Sequence, residues 1–580
     1  MGILDNMRYI RSLGGPWAPV IQIAGAFVVY KVTSFLYNLV KCRARFQRMK
    51  ASGIPIMPHS LLFGHLLVVA KLTKGYPSDM HPNYIADLIW QNWRTLFPSC
   101  KSCPSIFYVD LWPMGPPIAF TIDPTTATQA FTTHELGRTK AASRYLYPIA
   151  HGRDMASLEG PDWKLWRSRF NQGFSSKNLT ALIPSVIEEV VVFRDILRQK
   201  IGKDDDGNWG EAFQLEPLTT SLTFDVIGRA ALDIRLHNQT KGPDPLQSAL
   251  QSQMGMAMFT ANIGNLHRQL SPIRHYKMTR NLRIMRDFLL PYVNSCLSES
   301  SVKTSSKTIL DLAVQAVRNE KQLSSLPLEN NDGLVEDIMA QLKIFIFAGF
   351  DTTANAICWT LHMLPVHPVS ASKVRAELDQ VFGPDPDAMI AALQSQPQLL
   401  NQLPYTLGFI KETFRFFPSV GQNRENDDGE FEFTVSEPPK NVTRPTRGFM
   451  VWAGVRAAMR LEQTWYRGNE FLPERWLVTD PNDPLHPPKN AWHPFGLGPR
   501  ACIGQELALS EIKLALAVVV REMEVECAWD QWDQQMEYKN LKRGKKDMID
   551  GHRCYQTGDG TPHTKDGMPV HMRRLRRDLC

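Results

Sequence analysis

The sequence predicts a mainly α-helical protein with small β-sheets, preceded by an N-terminal membrane-anchor helix. Three observations carry that expectation. Apolar residues recur at helical spacing over long stretches, short alternating pieces fall between them, and a 24-residue run from Trp17 to Val40 holds a single charge, Lys31. The composition is that of a folded chain: 43% of the 580 residues are hydrophobic, and 36 Gly with 40 Pro fall well below the roughly 25–30% of low-complexity proteins. Sixty-five Lys and Arg against 58 Asp and Glu leave a formal charge of +7, densest at Arg573, Arg574, Arg576 and Arg577. A short basic tail of this kind is usually solvated, and no nucleic-acid partner is implied.

The elements follow in order. At ~1.5 Å per residue, Trp17–Val40 is long enough as a helix to cross a hydrocarbon layer of about 30 Å. Lys41, Arg43, Arg45, Arg48 and Lys50 come directly after it and only Arg8 and Arg11 before it, so the positive-inside rule puts the bulk of the chain in the cytosol. A buried or interfacial helix is the competing reading. Residues 1–45 form the anchor and its basic flank, 46–60 a hinge containing Pro55 and Pro58, and 61–580 one large domain. Within that domain helices are expected over Leu179–Gln199, Pro217–Ile234, Leu334–Leu364 and Gln505–Val525, and strands over Phe107–Leu111, Pro117–Ile122 and Phe431–Val435. Residues 295–308, rich in Ser, have the composition of an exposed loop.

Nine cysteines, an odd number scattered along the chain, fit a reducing compartment better than a disulfide framework. Cys100 and Cys103 have CxxC spacing, but no second pair completes a zinc set. Cys502 stands apart. It lies in HPFGLGPRACIGQELA, with Phe495, Gly498, Arg500 and Gly504 at fixed spacing around it and an amphipathic helix directly after. A cysteine just ahead of a helix N-terminus is favoured as thiolate, the metal-binding form. The glycines permit tight backbone and close approach of a flat ligand, and Arg500 offers a positive charge to a carboxylate.

This stretch resembles the haem-binding loop of the cytochrome P-450 monooxygenases, and the resemblance implies the cytochrome P-450 fold, with Cys502 as the thiolate ligand of the iron in haem b. A second stretch, Ala348-Gly349-Phe350-Asp351-Thr352-Thr353 inside a long apolar helix, is similar to the family's oxygen-activation groove. There Thr352 would meet the dioxygen being activated and Asp351 would help relay protons. Its Gly and paired Thr also make a local distortion of the helix an expectation. In KETFRFFP, Glu412 and Arg415 stand at i, i+3 among aromatic residues. They resemble the family's ExxR pair, with Arg475 of FLPERW as third member, all structural. Trp163 and Arg167 look like the family's contacts to one haem propionate, with Arg169 as an alternative to Arg167, and Arg424 like a contact to the other. Two departures stand out: Met459 in place of a histidine common in relatives, and a long polar segment from Trp529 to His563.

What the resemblance implies is an NADPH-dependent monooxygenase of the endoplasmic reticulum membrane, anchored by one helix, with its catalytic domain in the cytosol. It would place one oxygen atom of dioxygen into an apolar small molecule, in the style of fungal microsomal members of secondary metabolism. Electrons would arrive from NADPH-cytochrome P-450 reductase, with cytochrome b5 as a further donor, since no nucleotide fingerprint occurs in this chain. Substrate-lining regions are expected at Ile149–Ser157, Met254–Ile263, Ile344–Phe347 and Ser419–Asn423. A reductase-independent haem-thiolate isomerase or dehydratase, and a non-catalytic haem-binding membrane protein, are the alternatives.

Overall fold

In the computed structural model the helix of the N-terminal apolar run continues well beyond Val40 through the basic flank, as the 34-residue α1 (Ala18–Ala51). The structure describes residues 18–575 apart from 135, 202–207, 258–265, 299–306, 322–331, 427–428, 438–439, 539–547 and 559. Along α1 the apolar side chains contact little protein: Ile23 is 71% exposed and Val29 65%. Its last turns behave differently. Phe46 and Met49 are buried with Tyr108 and Phe449, and Arg43 forms a buried ion pair with Asp110, whose carboxylate also lies 2.9 Å from Nε2 of His59. The hinge expected at 46–60 is therefore corrected: its first six residues are helix, held by apolar contacts and a buried charge pair. Only the Pro-containing part after Ala51 is irregular.

The strands form small sheets, as expected. β1 (Ile106–Val109) pairs antiparallel with β2 (Ile118–Thr121), both wholly buried. Later in the chain come β3 (Phe213–Gln214), β4 (Asn423–Glu425), the β5–β6 hairpin (Glu432–Glu437 and Lys440–Pro445) and β7 (Met450–Ala453). β7 lies parallel to β2 and antiparallel to β4, giving a sheet of order β1-β2-β7-β4. β8 (Met523–Cys527), β9 (Gln556–Thr557), β10 (His563–Thr564) and β11 (Pro569–Arg574) complete the set, with β11 between β3 and β8 and β9 against β10.

Helices make the rest. α2 (Gly160–Asn171), α3 (Ser176–Arg198) and α4 (Glu216–Leu232) precede the longest helix of the body, α5 (Asp332–Val366), followed by α6 (Pro404–Phe416) and α7 (Gln505–Glu522). α5 is buried along most of its length because its side chains are apolar all round, and α4 and α7 pack on it. The helix expected to reach Val525 stops at Glu522. Met523, Val525 and Cys527 then alternate as a strand, with Val525 opposite Met572 of β11, so a partner strand overrides the local helical pattern. The distortion expected in α5 is absent, and the helix runs unbroken through Gly349 and Thr352. Part of the loop expected at 295–308 is helix up to Ser298, and most of its remainder falls outside the described residues.

Candidate active site

Cys502 sits two residues before Gly504, the N-cap of α7. The loop in front of it is closed by two backbone hydrogen bonds, Cys502 N–H to the Phe495 carbonyl at 2.8 Å and Ala501 N–H to the Gly498 carbonyl at 3.0 Å. Gly498 has φ +74, and a Cβ there would lie 2.1 Å from the carbonyl oxygen of Phe131. Only glycine fits. Gly504 differs: its φ of −87 suits any residue, and a Cβ would make only ordinary contacts with Phe174 and Cys502. Its backbone N–H meets the Cys502 sulfur, and with Arg167 it opposes the burial that pushes this thiol up. Cys502 has accessible surface, but that surface opens into an internal cavity of about 400 Å³, within the ~300–1,000 Å³ of small-molecule sites.

The far wall of this cavity is α5, which contributes Phe345, Phe347, Ala348, Gly349, Thr352 and Thr353. The Thr352 hydroxyl donates to the carbonyl of Ala348 at 2.8 Å, and Thr223 of α4 donates to the carbonyl of Phe350 at 2.9 Å. Polar side chains thus serve α5 carbonyls without breaking the helix. Asp351 points away from the cavity. Its carboxylate lies 3.9 Å from Nε2 of His563, whose Nδ1 is 2.6 Å from Glu216 at the start of α4. Burial raises the Asp351 carboxyl above its ordinary value, with His563 and the Thr561 hydroxyl opposing. Burial disfavours charge on His563 too, but the bond to Glu216 and the facing Asp351 prevail and lift it to about 9.

One end of the cavity is cationic. Arg138, Arg424 and Arg500 all line it. Arg424 is 2% exposed, and burial, reinforced by the two neighbouring guanidinium groups, pushes it down to about 8. Burial and Arg500 bring Arg138 to about 10, and its Nε is buried without a hydrogen-bond partner. Three guanidinium groups against one another are a site for an anion. The residues fit haem: a sulfur ligand, small Gly496 and Gly504 on the cavity wall, and arginines able to take its carboxylates. Trp163 and Arg167 stand behind the Cys502 loop and not on the cavity wall. Arg500 covers the Trp163 ring at 4.3 Å, and Arg167 donates to the Ala501 carbonyl at 3.0 Å. Arg169 is engaged elsewhere, in an ion pair with Glu320 at 2.6 Å.

Below the loop, Glu412, Arg415 and Arg475 form one buried cluster. Arg415 Nη2 is 2.8 Å and Arg475 Nε 3.1 Å from the same Glu412 oxygen, with Glu412 and Arg415 side chains fully inaccessible. Arg415 also donates to the carbonyl of Met459 at 2.7 Å, which explains why a side chain other than histidine is tolerated there. Phe495 packs on Phe414 of the same helix at 5.0 Å, coupling this cluster to the loop.

Among the expected lining regions, all of Ser419–Asn423 borders the cavity, as do Phe345 and Phe347. Ile149–Ser157 does not. Ile149 is fully buried in a neighbouring cluster, and the Met155 N–H is bound to Gln341 at 2.7 Å; Tyr145 and Leu146, one turn earlier, line the cavity instead. Of Met254–Ile263, residues 258–263 lie outside the described residues and the rest does not border it. Sequence reading missed Arg138, Gly496 and the Glu216–His563 pair. Gly496, with φ +81 and lying within the Cys502 loop, had a local signal in its place between Phe495 and Gly498; the others had none.

A family model described as cytochrome P450 matches residues 99–547. Over 550 residues the chain is 36% identical to cytochrome P450 monooxygenase polC of Polytolypa hystricis, covering 93% of each chain. It is 27% identical over 516 residues to cytochrome P450 monooxygenase acrF of Aspergillus aculeatus, covering 86% of this chain and 98% of the relative. Among solved structures, cytochrome P450 CYP102L1 superposes with a TM-score of 0.63 at 19% identity, over 90% of this chain and 98% of that one.

Proposed function

The chain belongs to the cytochrome P450 family and is a haem-thiolate monooxygenase, and on that premise we propose how its own residues divide the work. Cys502 would hold the haem iron through its thiolate, and Arg138, Arg424 and Arg500 would take the propionates. Haem, when bound, supplies the activation of dioxygen and the transfer of one oxygen atom. Phe345, Phe347, Ile227, Leu146, Val420 and Trp452 give the cavity an apolar lining, which suits an apolar substrate and excludes water. The Thr352 hydroxyl faces that space and can turn from the Ala348 carbonyl to hold a proton there. Burial favours the protonated form of Asp351, and His563 with Glu216 links it to the outside, His563 being 45% accessible and Asp351 13%.

NADPH would supply electrons through a separate reductase, with cytochrome b5 as a further donor. The membrane of the endoplasmic reticulum is the proposed location, the domain lying on its cytosolic side. Two features support membrane contact: α1 is long and apolar enough to cross a bilayer, and Leu61, Leu62 and Phe63 next to it are 68%, 62% and 47% exposed. Secondary-metabolite tailoring is the proposed setting.

The observation that carries this reading is that Cys502, Thr352 and the three arginines border one apolar cavity. The test is the reduced carbon-monoxide difference spectrum beside that of Cys502→Ser, followed by turnover with reductase and NADPH. A strongly red-shifted band that the variant loses supports the ligand assignment, and Thr352→Ala should then consume NADPH with less product. An unshifted band from folded protein, or unaltered coupling in Thr352→Ala, would overturn the respective part.

A further inference from the structure

On the side of α5 away from the cavity, three chain segments bring together two sulfurs and a nitrogen. His362 lies in the last turns of α5, Cys527 ends β8, and Cys554 precedes β9 by two residues. Their ligand atoms lie within 4.8 Å of one another, and the Cys527 sulfur is 3.3 Å from Nδ1 of His362. Cys554 is 5% exposed, and the other two are partly accessible. None of the three borders the cavity.

We propose that His362, Cys527 and Cys554 bind one zinc ion. Two sulfurs and an imidazole are the donor set that zinc prefers, and three protein ligands leave the fourth tetrahedral position to water. With Zn–S near 2.3 Å and Zn–N near 2.0–2.1 Å, a tetrahedral centre holds its ligand atoms about 3.5–3.8 Å apart. The cluster is already close to that size. The Cys554 thiol and the His362 ring both hydrogen-bond to the Cys527 sulfur, so the three ligand atoms already converge on one another. Zinc would form two Zn–S bonds and one Zn–N bond and displace the thiol protons to solvent, with no change of oxidation state. Glu216 adds negative charge near Cys554.

The consequence is a clip. It would join the end of α5, the end of β8 and the segment that leads to Gly560 and Thr561, which line the cavity. It does so without touching haem, so it stands or falls separately from the monooxygenase chemistry.

The experiment uses the full chain in detergent with haem bound, dialysed against micromolar zinc or against a chelator. Metal content is read by mass spectrometry and thiol reactivity by alkylation followed by peptide mapping. Zinc is expected at one per chain, with alkylation of Cys527 and Cys554 slowed at least about tenfold relative to the chelated protein, and binding weakening as pH falls. Cys554→Ser is expected to lose the metal. Zinc retained equally by Cys554→Ser, no zinc in the wild type, unprotected thiols, or a Cys527–Cys554 disulfide in the native protein would each overturn the proposal. Should Cys554→Ser fail to fold, the alkylation of the wild-type chain still decides.

Discussion

Replacing Gly498 by alanine tests whether the Cys502 loop is held by a backbone contact no side chain can share. Two costs add. At φ +74 an alanine sits in the left-handed region, at about 1–2 kcal/mol. Its Cβ would also lie 2.1 Å from the Phe131 carbonyl oxygen, where real contacts stay beyond 3.0 Å, so two backbone segments must part by almost 1 Å. Forced repacking of that kind costs about 1–3 kcal/mol. The sum, about 2–5 kcal/mol, shifts the population of the native loop by a factor of about 30 to several thousand. Gly53→Ala is the control: its φ is +82 and nothing lies within 4 Å, so it carries the first cost alone. Haem bound per chain and the temperature of haem loss are measured for both. Gly498→Ala should purify largely without haem and Gly53→Ala with wild-type haem. Equal haem retention and equal thermal behaviour in the two variants would refute the reasoning.

Glu412→Gln should destabilise the folded protein by about 3–5 kcal/mol, because it leaves Arg415 and Arg475 buried without their counter-charge; denaturant unfolding checks this. Arg424→Ala should weaken haem retention more than Arg167→Ala, since only Arg424 borders the cavity, and a haem-transfer rate to an acceptor protein decides it. Glu216→Gln should lower stability in a pH-dependent way. The folded His563 is raised from 6.5 to about 9, so its contribution is full below pH 6.5 and is lost as pH climbs through about 9. The gap between variant and wild type should therefore narrow across that window, as thermal unfolding at several pH values would show.

Much of the site was legible because its parts are local. The Cys502 loop needs its ligand, its glycines and its helix start within ten residues, and Glu412 and Arg415 meet across one helical turn, so spacing alone displays them. α1 and α5 were legible for a similar reason: an apolar run of that length has few places to go. What the sequence could not contain is the meeting of distant segments. Arg138 precedes Arg500 by more than 300 residues, and only the packed body sets them beside the buried Arg424, where three neighbouring guanidinium charges create a place for an anion. His563 joins Asp351 to Glu216 across a similar span. The end of α7 at Glu522 and the helical start of the expected hinge belong to the same class, since β11 and Asp110 decide them from far along the chain. Local chemistry is written in neighbouring residues; electrostatic environment and strand pairing exist only once burial has brought remote groups into contact.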